Sequence, residues 1–215
     1  MRNNASKDNR KQGQHKSSTL EEFVSKDSLT YFSAIRQGDK MTLCDEKSAA
    51  HSKIAVEAVA PGVYYARPDR DIIPSRDKQK KADYLVFCCG GEGQANFFEL
   101  KGEKISESGR EGPWEQILAT IIYFASTDGL EKIVAPKVEK HAFIVSPGRQ
   151  SIPSGIQSCE RKLLRRLGTA SRVPQGPSKF LHYVKFQNKA DYSECAQRII
   201  CSPAHPLKIP YKNGD

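Results

Sequence analysis

Residues 80–102 constrain the fold of this chain more than any other stretch, because two strand-like runs flank a glycine-rich turn. Their sequence is KKADYLVFCCGGEGQANFFELKG. Residues 82–89 and 95–101 are rich in β-branched and aromatic side chains, which favour strands, and Gly90, Gly91 and Gly93 supply the turn. The segment therefore predicts a β-hairpin.

Three charged side chains are predicted to share one face of this hairpin. If it is symmetric about Glu92, Asp83 lies opposite Lys101 and Leu85 lies opposite Glu99. Side chains alternate between the two faces of a strand, so Asp83, Glu99 and Lys101 project from the same face. Buried charges are costly unless they pair or hold a metal. A strand-face salt bridge and a metal site are both consistent with this pattern.

An Asp at the start of one strand, followed by Glu-x-Lys at the end of the next, resembles the PD-(D/E)XK nuclease superfamily, the fold of most type II restriction endonucleases. Asp83 matches the Asp of that family, and Glu99, Leu100 and Lys101 match its E-x-K. Ala82 stands where the family's name has Pro, a position that varies among members. The pattern of elements matches over about residues 42–147.

The resemblance implies an α/β fold in which a mixed central β-sheet is flanked by helices, as in restriction endonucleases. Hydrophobic periodicity predicts the individual elements. The expected helices lie at residues 20–37 (one or two short ones), 42–59, 113–126 and 157–167. The expected strands, besides the hairpin, lie at residues 62–67, 141–146 and 179–187.

The length of 215 residues suits one domain with a core of its own. Residues 1–19 are polar and are expected to form a disordered basic arm. Residues 20–215 are expected to form a single nuclease domain, with a catalytic core at about 42–147 and a basic C-terminal part at 148–215. No apolar run could span a membrane or act as a secretory leader, and the six cysteines lack metal-ligand spacing. These features predict a cytoplasmic (intracellular) protein with reduced thiols.

The net charge of +9 is unevenly distributed along the chain. Residues 1–19 carry +4 and residues 148–215 carry +8, whereas residues 20–147 carry −3. An acidic centre between basic ends fits a metal site that cuts a polyanion. Surface lysines that serve only solubility would also account for the basic ends.

The resemblance implies a metal site at the end of the hairpin. Asp83 and Glu99 would hold Mg²⁺ together with the carbonyl oxygen of Leu100, and Mn²⁺ would substitute for it. Lys101 would orient or deprotonate the attacking water and offset charge on the transition state.

The family often adds a carboxylate from the helix before the first strand, and Glu46 and Glu57 are both candidates. Glu46 is favoured because it lies where that helix would cross the sheet. Gln116 matches a Gln or Lys that many members place near the scissile phosphate. The Asp of Pro68-Asp69 is rejected as the motif Asp, because thirty residues separate it from Glu99.

The resulting expectation is a Mg²⁺-dependent endonuclease that hydrolyses phosphodiester bonds of DNA, most simply a homodimeric type II restriction endonuclease. No G-x-x-x-x-G-K-[ST] motif occurs, so no nucleotide cofactor is expected. Two alternatives stay open. One is another nuclease of the family, with a repair, junction-resolving or phage-defence role. The other is a nucleic-acid-binding module that keeps the fold without catalysis.

The basic helix predicted at residues 157–167 provides the first test. Changing Arg165 and Arg166 together to Ala is expected to flatten the slope of log K against log salt by about one to two units, since each lost phosphate contact removes about 0.9. The measurement is DNA affinity over a range of salt concentrations. An unchanged slope would place the grip on DNA elsewhere, with the basic loop at residues 67–81 as the next candidate.

Overall fold

The chain forms a six-stranded sheet and a smaller three-stranded sheet in a computed structural model. That structure describes residues 30–45, 52–75, 79–101, 112–147, 165–166, 181–186 and 207–208. The strands are β1 (Ser33–Ile35), β2 (Lys40–Cys44), β3 (Lys53–Ala58), β4 (Val63–Ala66), β5 (Tyr84–Cys88), β6 (Gln94–Leu100), β7 (Glu139–Pro147), β8 (Leu181–Phe186) and β9 (Leu207–Lys208). The helical elements are α1 (Pro113–Ala125), a π-helical turn (Pro68–Ile72) and a 3₁₀ helix (Leu130–Val134).

The larger sheet has the order β1-β4-β5-β6-β7-β8, and the smaller sheet has the order β2-β3-β9. Strands β1, β4, β5 and β6 pair antiparallel, whereas β6, β7 and β8 pair parallel. The predicted mixed sheet of an α/β protein is therefore confirmed.

The larger sheet lies between two layers. Phe87 and Phe97 pack with α1 and the 3₁₀ helix on one face, whereas Val86 and Phe98 pack with β2 and β3 on the other. Because both faces are covered, every residue of β5 and β6 is buried. The expectation that helices flank the sheet is thus corrected for the described residues, since a second sheet covers the face opposite α1.

Several predicted elements are confirmed. The strands expected at residues 62–67, 141–146 and 179–187 correspond to β4, β7 and β8. The helix expected at 113–126 corresponds to α1, which begins with Pro113 at a position where the missing N–H costs nothing. The helix expected at 157–167 lies outside the described residues except for Arg165 and Arg166, which are helical.

The helix expected at residues 42–59 is wrong, because this segment contributes the antiparallel strands β2 and β3. Leu43, Ile54 and Ala58 fit a helical spacing, but Ile54, Val56 and Ala58 also fit the alternation of a strand. In the structure these three alternating side chains pack against the larger sheet. Residues 30–37 of the segment expected to form short helices hold β1 instead, and residues 20–29 lie outside the described part.

The hairpin of β5 and β6 is confirmed, but its register differs from the prediction by two residues. Tyr84 pairs with Phe98 and Leu85 with Phe97, so the turn is centred on Gly91 rather than Glu92. Gly91 has a positive φ of 62°, a conformation that glycine adopts without steric cost. A shift of two residues preserves the alternation of faces, so the predicted grouping of side chains on one face is unaffected.

No helix within the described ranges is long and apolar enough to cross a membrane. Of the described cysteines, Cys88 and Cys89 are buried and Cys44 is partly buried, and none forms a disulfide. Cys159, Cys195 and Cys201 lie outside the described residues.

Truncation of Phe98 provides a test of the two-layer core. Its ring is fully buried and stacks on Phe143 with centroids 4.7 Å apart. We expect Phe98→Ala to lower the free energy of unfolding by about 3–5 kcal/mol, because it leaves a cavity between the sheets. Urea denaturation measures this change. Tyr31→Ala is the control, because Tyr31 is 45% exposed and its loss should change stability by less than about 0.5 kcal/mol. Equal effects of the two substitutions would contradict this packing.

Candidate active site

The hairpin brings three charged side chains to one end of the larger sheet, where β5 begins and β6 ends. Asp83 directly precedes β5, Glu99 is the next-to-last residue of β6, and Lys101 follows that strand. All three share the parity of Leu85 and Phe97, whose side chains pack against α1. The site therefore lies on the helix-covered face, at the edge of the core.

Glu99 is the most deeply buried member of this group, with only 1% of the residue exposed. Its Oε1 forms an ion pair with Nζ of Lys101. Its Oε2 is buried and has no hydrogen-bond partner in the structure. Since buried carboxylate oxygens are rarely left unpaired, this atom marks a position where a further donor or a cation would be stabilised.

Asp83 is held to the end of β6 by a backbone hydrogen bond. The N–H of Leu100 donates to Oδ2 of Asp83 over 2.7 Å. The pKa of Asp83 is raised from 3.8 to about 6. Burial is the largest cause, and the charges of Asp69 and Asp45 add to it, whereas the Leu100 N–H and the charge of Lys101 act in the opposite direction.

The pKa of Glu99 lies well above its usual range, first because of burial and second because of the nearby charge of Asp83. Lys101 lowers this pKa through its charge and its hydrogen bond, and the backbone N–H of Asp83 lowers it as well. One ammonium thus faces two carboxyls. When both carboxyls are ionised, the two carboxylates and the ammonium together carry a net negative charge, which favours binding of a cation.

The donor set suits a hard divalent ion. Carboxylate oxygens and backbone carbonyls are the ligands that Mg²⁺ accepts alongside water. The carbonyl of Leu100 leaves β6 on the same side as its N–H, which is the side of Asp83. Within the ranges that the structure describes, no group of three or more His, Cys, Asp and Glu side chains is placed to hold one metal ion.

Gln116 connects α1 to the site. Its Oε1 accepts a hydrogen bond from Nζ of Lys101 at 2.7 Å, and its Nε2 donates to the carbonyl of Lys81 at 3.1 Å. The amide is therefore part of the network around Lys101. It is not a solvated surface group.

The two candidates for an additional carboxylate have different outcomes. Glu46 lies outside the described residues. Glu57 belongs to β3 and has the parity opposite to that of Val56 and Ala58, whose side chains face the larger sheet. The side chain of Glu57 thus leaves β3 on the outer face and does not approach Asp83, so its expected place on a helix next to the site is wrong.

Two further carboxylates lie near Asp83. The sequence analysis rejected Asp69 as the motif Asp and did not identify Asp45. Asp69 lies in the π-helical turn, and Asp45 directly follows β2. Their charges act on Asp83, and both residues line a small cavity beside it with Cys44, Arg67, Arg70 and Tyr84. Spacing along the chain gave no sign of this contact, because both residues reach the site through tertiary packing.

A larger cavity, with a volume of about 410 Å³, is also lined by Asp83. It is lined by polar and charged residues, which are Asp69, Ser75, Gln79, Lys80, Lys81, Asp83 and Gln116. Asp83 therefore lines both cavities, and an extended polar ligand that enters the larger one would lie beside both Asp83 and Gln116.

The basic residues near the site are partly engaged within the protein. Nζ of Lys81 donates to the carbonyls of Ile73 and Pro74 at 2.6 and 2.9 Å, so it anchors the loop that precedes β5. Arg166 forms an ion pair with Glu115 of α1 at 2.5 Å. The expectation that Arg165 and Arg166 contact DNA stays a prediction, and Arg166 would have to exchange this partner for a phosphate.

Comparisons of the chain with protein-family models, with curated proteins and with solved structures found no match.

The raised pKa of Asp83 gives a test that does not depend on any activity. Because the folded-state pKa of about 6 exceeds 3.8, ionised Asp83 destabilises the fold at neutral pH, and this penalty disappears as the pH falls from about 6 to about 4. In metal-free buffer at pH 8, we expect Asp83→Asn to raise the free energy of unfolding by about 1–2 kcal/mol, less than the full shift implies because the side chain is partly exposed.

Urea denaturation at pH 8, 6 and 4 measures this difference, which should vanish at the lowest pH. Glu92→Gln is the matched control, because Glu92 is an exposed carboxylate in the turn of the same hairpin. A gain for Asp83→Asn that does not change with pH would contradict the assignment of the penalty to its charge.

Proposed function

We propose that this protein is a Mg²⁺-dependent endonuclease that hydrolyses phosphodiester bonds of DNA on a restriction endonuclease-like fold. One observation carries the proposal. The buried, unpartnered Oε2 of Glu99 lies in a site where a second carboxyl, Asp83, also has a raised pKa and where Lys101 is the nearest cation. A structural ion pair would need only one carboxylate, whereas two carboxyls with one lysine are suited to a bound divalent cation.

Asp83 and Glu99 would hold the Mg²⁺ ion, and the Leu100 carbonyl would be a further ligand. When bound, such an ion polarises the phosphate and lowers the pKa of a coordinated water. The hydrogen bond from the Leu100 N–H keeps the Asp83 carboxylate at the end of β6, so both carboxyls belong to one rigid hairpin. Placement on paired strands favours the precise geometry that phosphoryl chemistry needs.

Lys101 would act on the water and the phosphate. Its Nζ is fixed between Oε1 of Glu99 and Oε1 of Gln116, and its side chain remains 27% exposed, so a ligand can reach it. From this position the ammonium can orient the attacking water and stabilise negative charge as it develops on the phosphate. Gln116 restricts the ammonium to that position.

The larger cavity supports a polyanionic substrate. Lys80, Asp83 and Gln116 are among its lining residues, and its lining is polar. The net charge of +9 favours association with nucleic acid through phosphate contacts. We propose a homodimer for a type II restriction enzyme, because cleavage of both DNA strands calls for two copies of the site.

Substitution of the charged residues tests the proposal. We expect Asp83→Ala and Lys101→Ala to lower plasmid cleavage in Mg²⁺ or Mn²⁺ by at least about 100-fold, because each removes a group that acts at the reacting phosphate. DNA affinity should persist, since it depends mainly on other phosphate contacts. Cleavage is followed on gels and affinity by fluorescence anisotropy.

Lys137→Ala is the matched control for Lys101→Ala, because Lys137 is exposed and precedes β7 at the opposite end of the sheet. A wild-type protein that binds DNA but does not cut it with either metal would favour the non-catalytic binding module. Discrete fragments would indicate a restriction enzyme, and preference for branched or damaged substrates would indicate a repair or junction-resolving enzyme.

A further inference from the structure

Thr120 occupies the point where α1 meets the beginning of β5. The residue is completely buried. Its hydroxyl donates to the carbonyl of Gln116 at 2.9 Å and accepts a hydrogen bond from the backbone N–H of Ala82 at 2.7 Å. The first bond is a common local one in helices. The second joins residues 38 positions apart in the chain and has no local explanation.

The N–H of Ala82 depends on this hydroxyl. Ala82 is fully buried and precedes Tyr84, the first residue of the β5 ladder, so it lies ahead of the paired part of the strand. An unsatisfied backbone N–H in such a position costs about 1–3 kcal/mol. Thr120 therefore determines how the chain enters β5, one residue before Asp83.

The same turn of α1 also binds Lys81, which precedes Ala82, and Lys101 of the site. Gln116, one turn before Thr120, binds the carbonyl of Lys81 and the ammonium of Lys101. Gln116 and Thr120 together therefore fix the backbone of residues 81–82, which leads into Asp83. Gln116 also fixes the side chain of Lys101. One turn of α1 thereby connects the two ends of the hairpin at the level of their charged groups.

We propose that Thr120 is a positioning residue whose hydroxyl sets the place of Asp83 relative to Glu99 and Lys101. This inference rests on the proposed function, since the positioning matters for a metal and for cleavage. Thr120 itself touches neither reacting group. It acts through the backbone of Ala82 and through Gln116.

Two substitutions separate the hydroxyl from the rest of the side chain. Thr120→Val keeps the shape and removes both hydrogen bonds, whereas Thr120→Ser keeps the hydroxyl and removes the methyl group. Thr127→Val is the matched control, because the hydroxyl of Thr127 makes the same type of bond to the carbonyl of Tyr123, at 2.8 Å, at the far end of the helix. Should the valine variant not fold, as judged by circular dichroism, Thr120→Ala takes its place.

Each full-length variant is compared in two measurements, the single-turnover rate of plasmid cleavage and the affinity for Mn²⁺ by calorimetry without DNA. We expect Thr120→Val to lower the cleavage rate and the Mn²⁺ affinity by about 10- to 100-fold each, as is usual when a group that supports a ligand is removed. DNA affinity should be unchanged. Thr120→Ser should restore both quantities to within about threefold of wild type, and Thr127→Val should leave both unaltered.

Wild-type values for Thr120→Val would overturn the positioning role while leaving the nuclease proposal intact. Equal losses in the serine and valine variants would also overturn it, because the methyl group and not the hydroxyl would then be responsible. If the wild-type protein does not cleave DNA, the proposed function fails, and the Mn²⁺ affinity alone decides whether Thr120 positions the two carboxyls. An unchanged affinity in Thr120→Val would then exclude that role.

Discussion

The placement of two carboxyl groups beside one lysine, one carboxyl buried and the other partly buried, is the interaction on which the rest of this structure depends. Removal of an ionised carboxylate from water is costly, and Glu99 is 1% exposed with one oxygen unpartnered. Lys101 and the N–H of Leu100 offset part of that cost, yet both carboxyls keep raised pKa values. An arrangement of this kind contributes little to stability. Its persistence is understandable if another ligand completes it.

The layers of the fold explain how such a site can exist at all. Strand β6 has neighbours on both sides and covered faces above and below, so a charged residue near its end is deprived of water by packing. The helix on one face then supplies polar atoms at the end of the sheet, through Gln116 and Thr120. Lys81 adds a third attachment by binding carbonyls of the loop that follows the π-helical turn of Asp69. The site is therefore connected to both the helix and the loop.

Local patterns allowed the hairpin, its neighbouring strands and α1 to be predicted, since each follows from β propensity, glycine placement or helical periodicity. The grouping of Asp83, Glu99 and Lys101 survived an error of two residues in register because it depends only on parity. The segment that forms β2 and β3 was misassigned because its apolar residues fit two periods, and the choice was made by tertiary packing against the larger sheet. The approach of Asp45 and Asp69 to Asp83 depends on how distant segments pack, which no local pattern encodes.

The turn centred on Gly91 determines how Asp83 and Glu99 are aligned at the other end of the hairpin, where the metal site is proposed. A strand advances about 3.3 Å per residue and reverses its side-chain direction at each step. Insertion of one residue that slipped the pairing of β5 and β6 would send Asp83 to the face of the smaller sheet, away from Glu99. Insertion of two would keep the face but displace the carboxyl by about 7 Å, beyond the reach of a shared ion. Evolutionary change in the length of this remote, solvent-exposed turn is thus expected to be as restricted as change in the charged residues themselves.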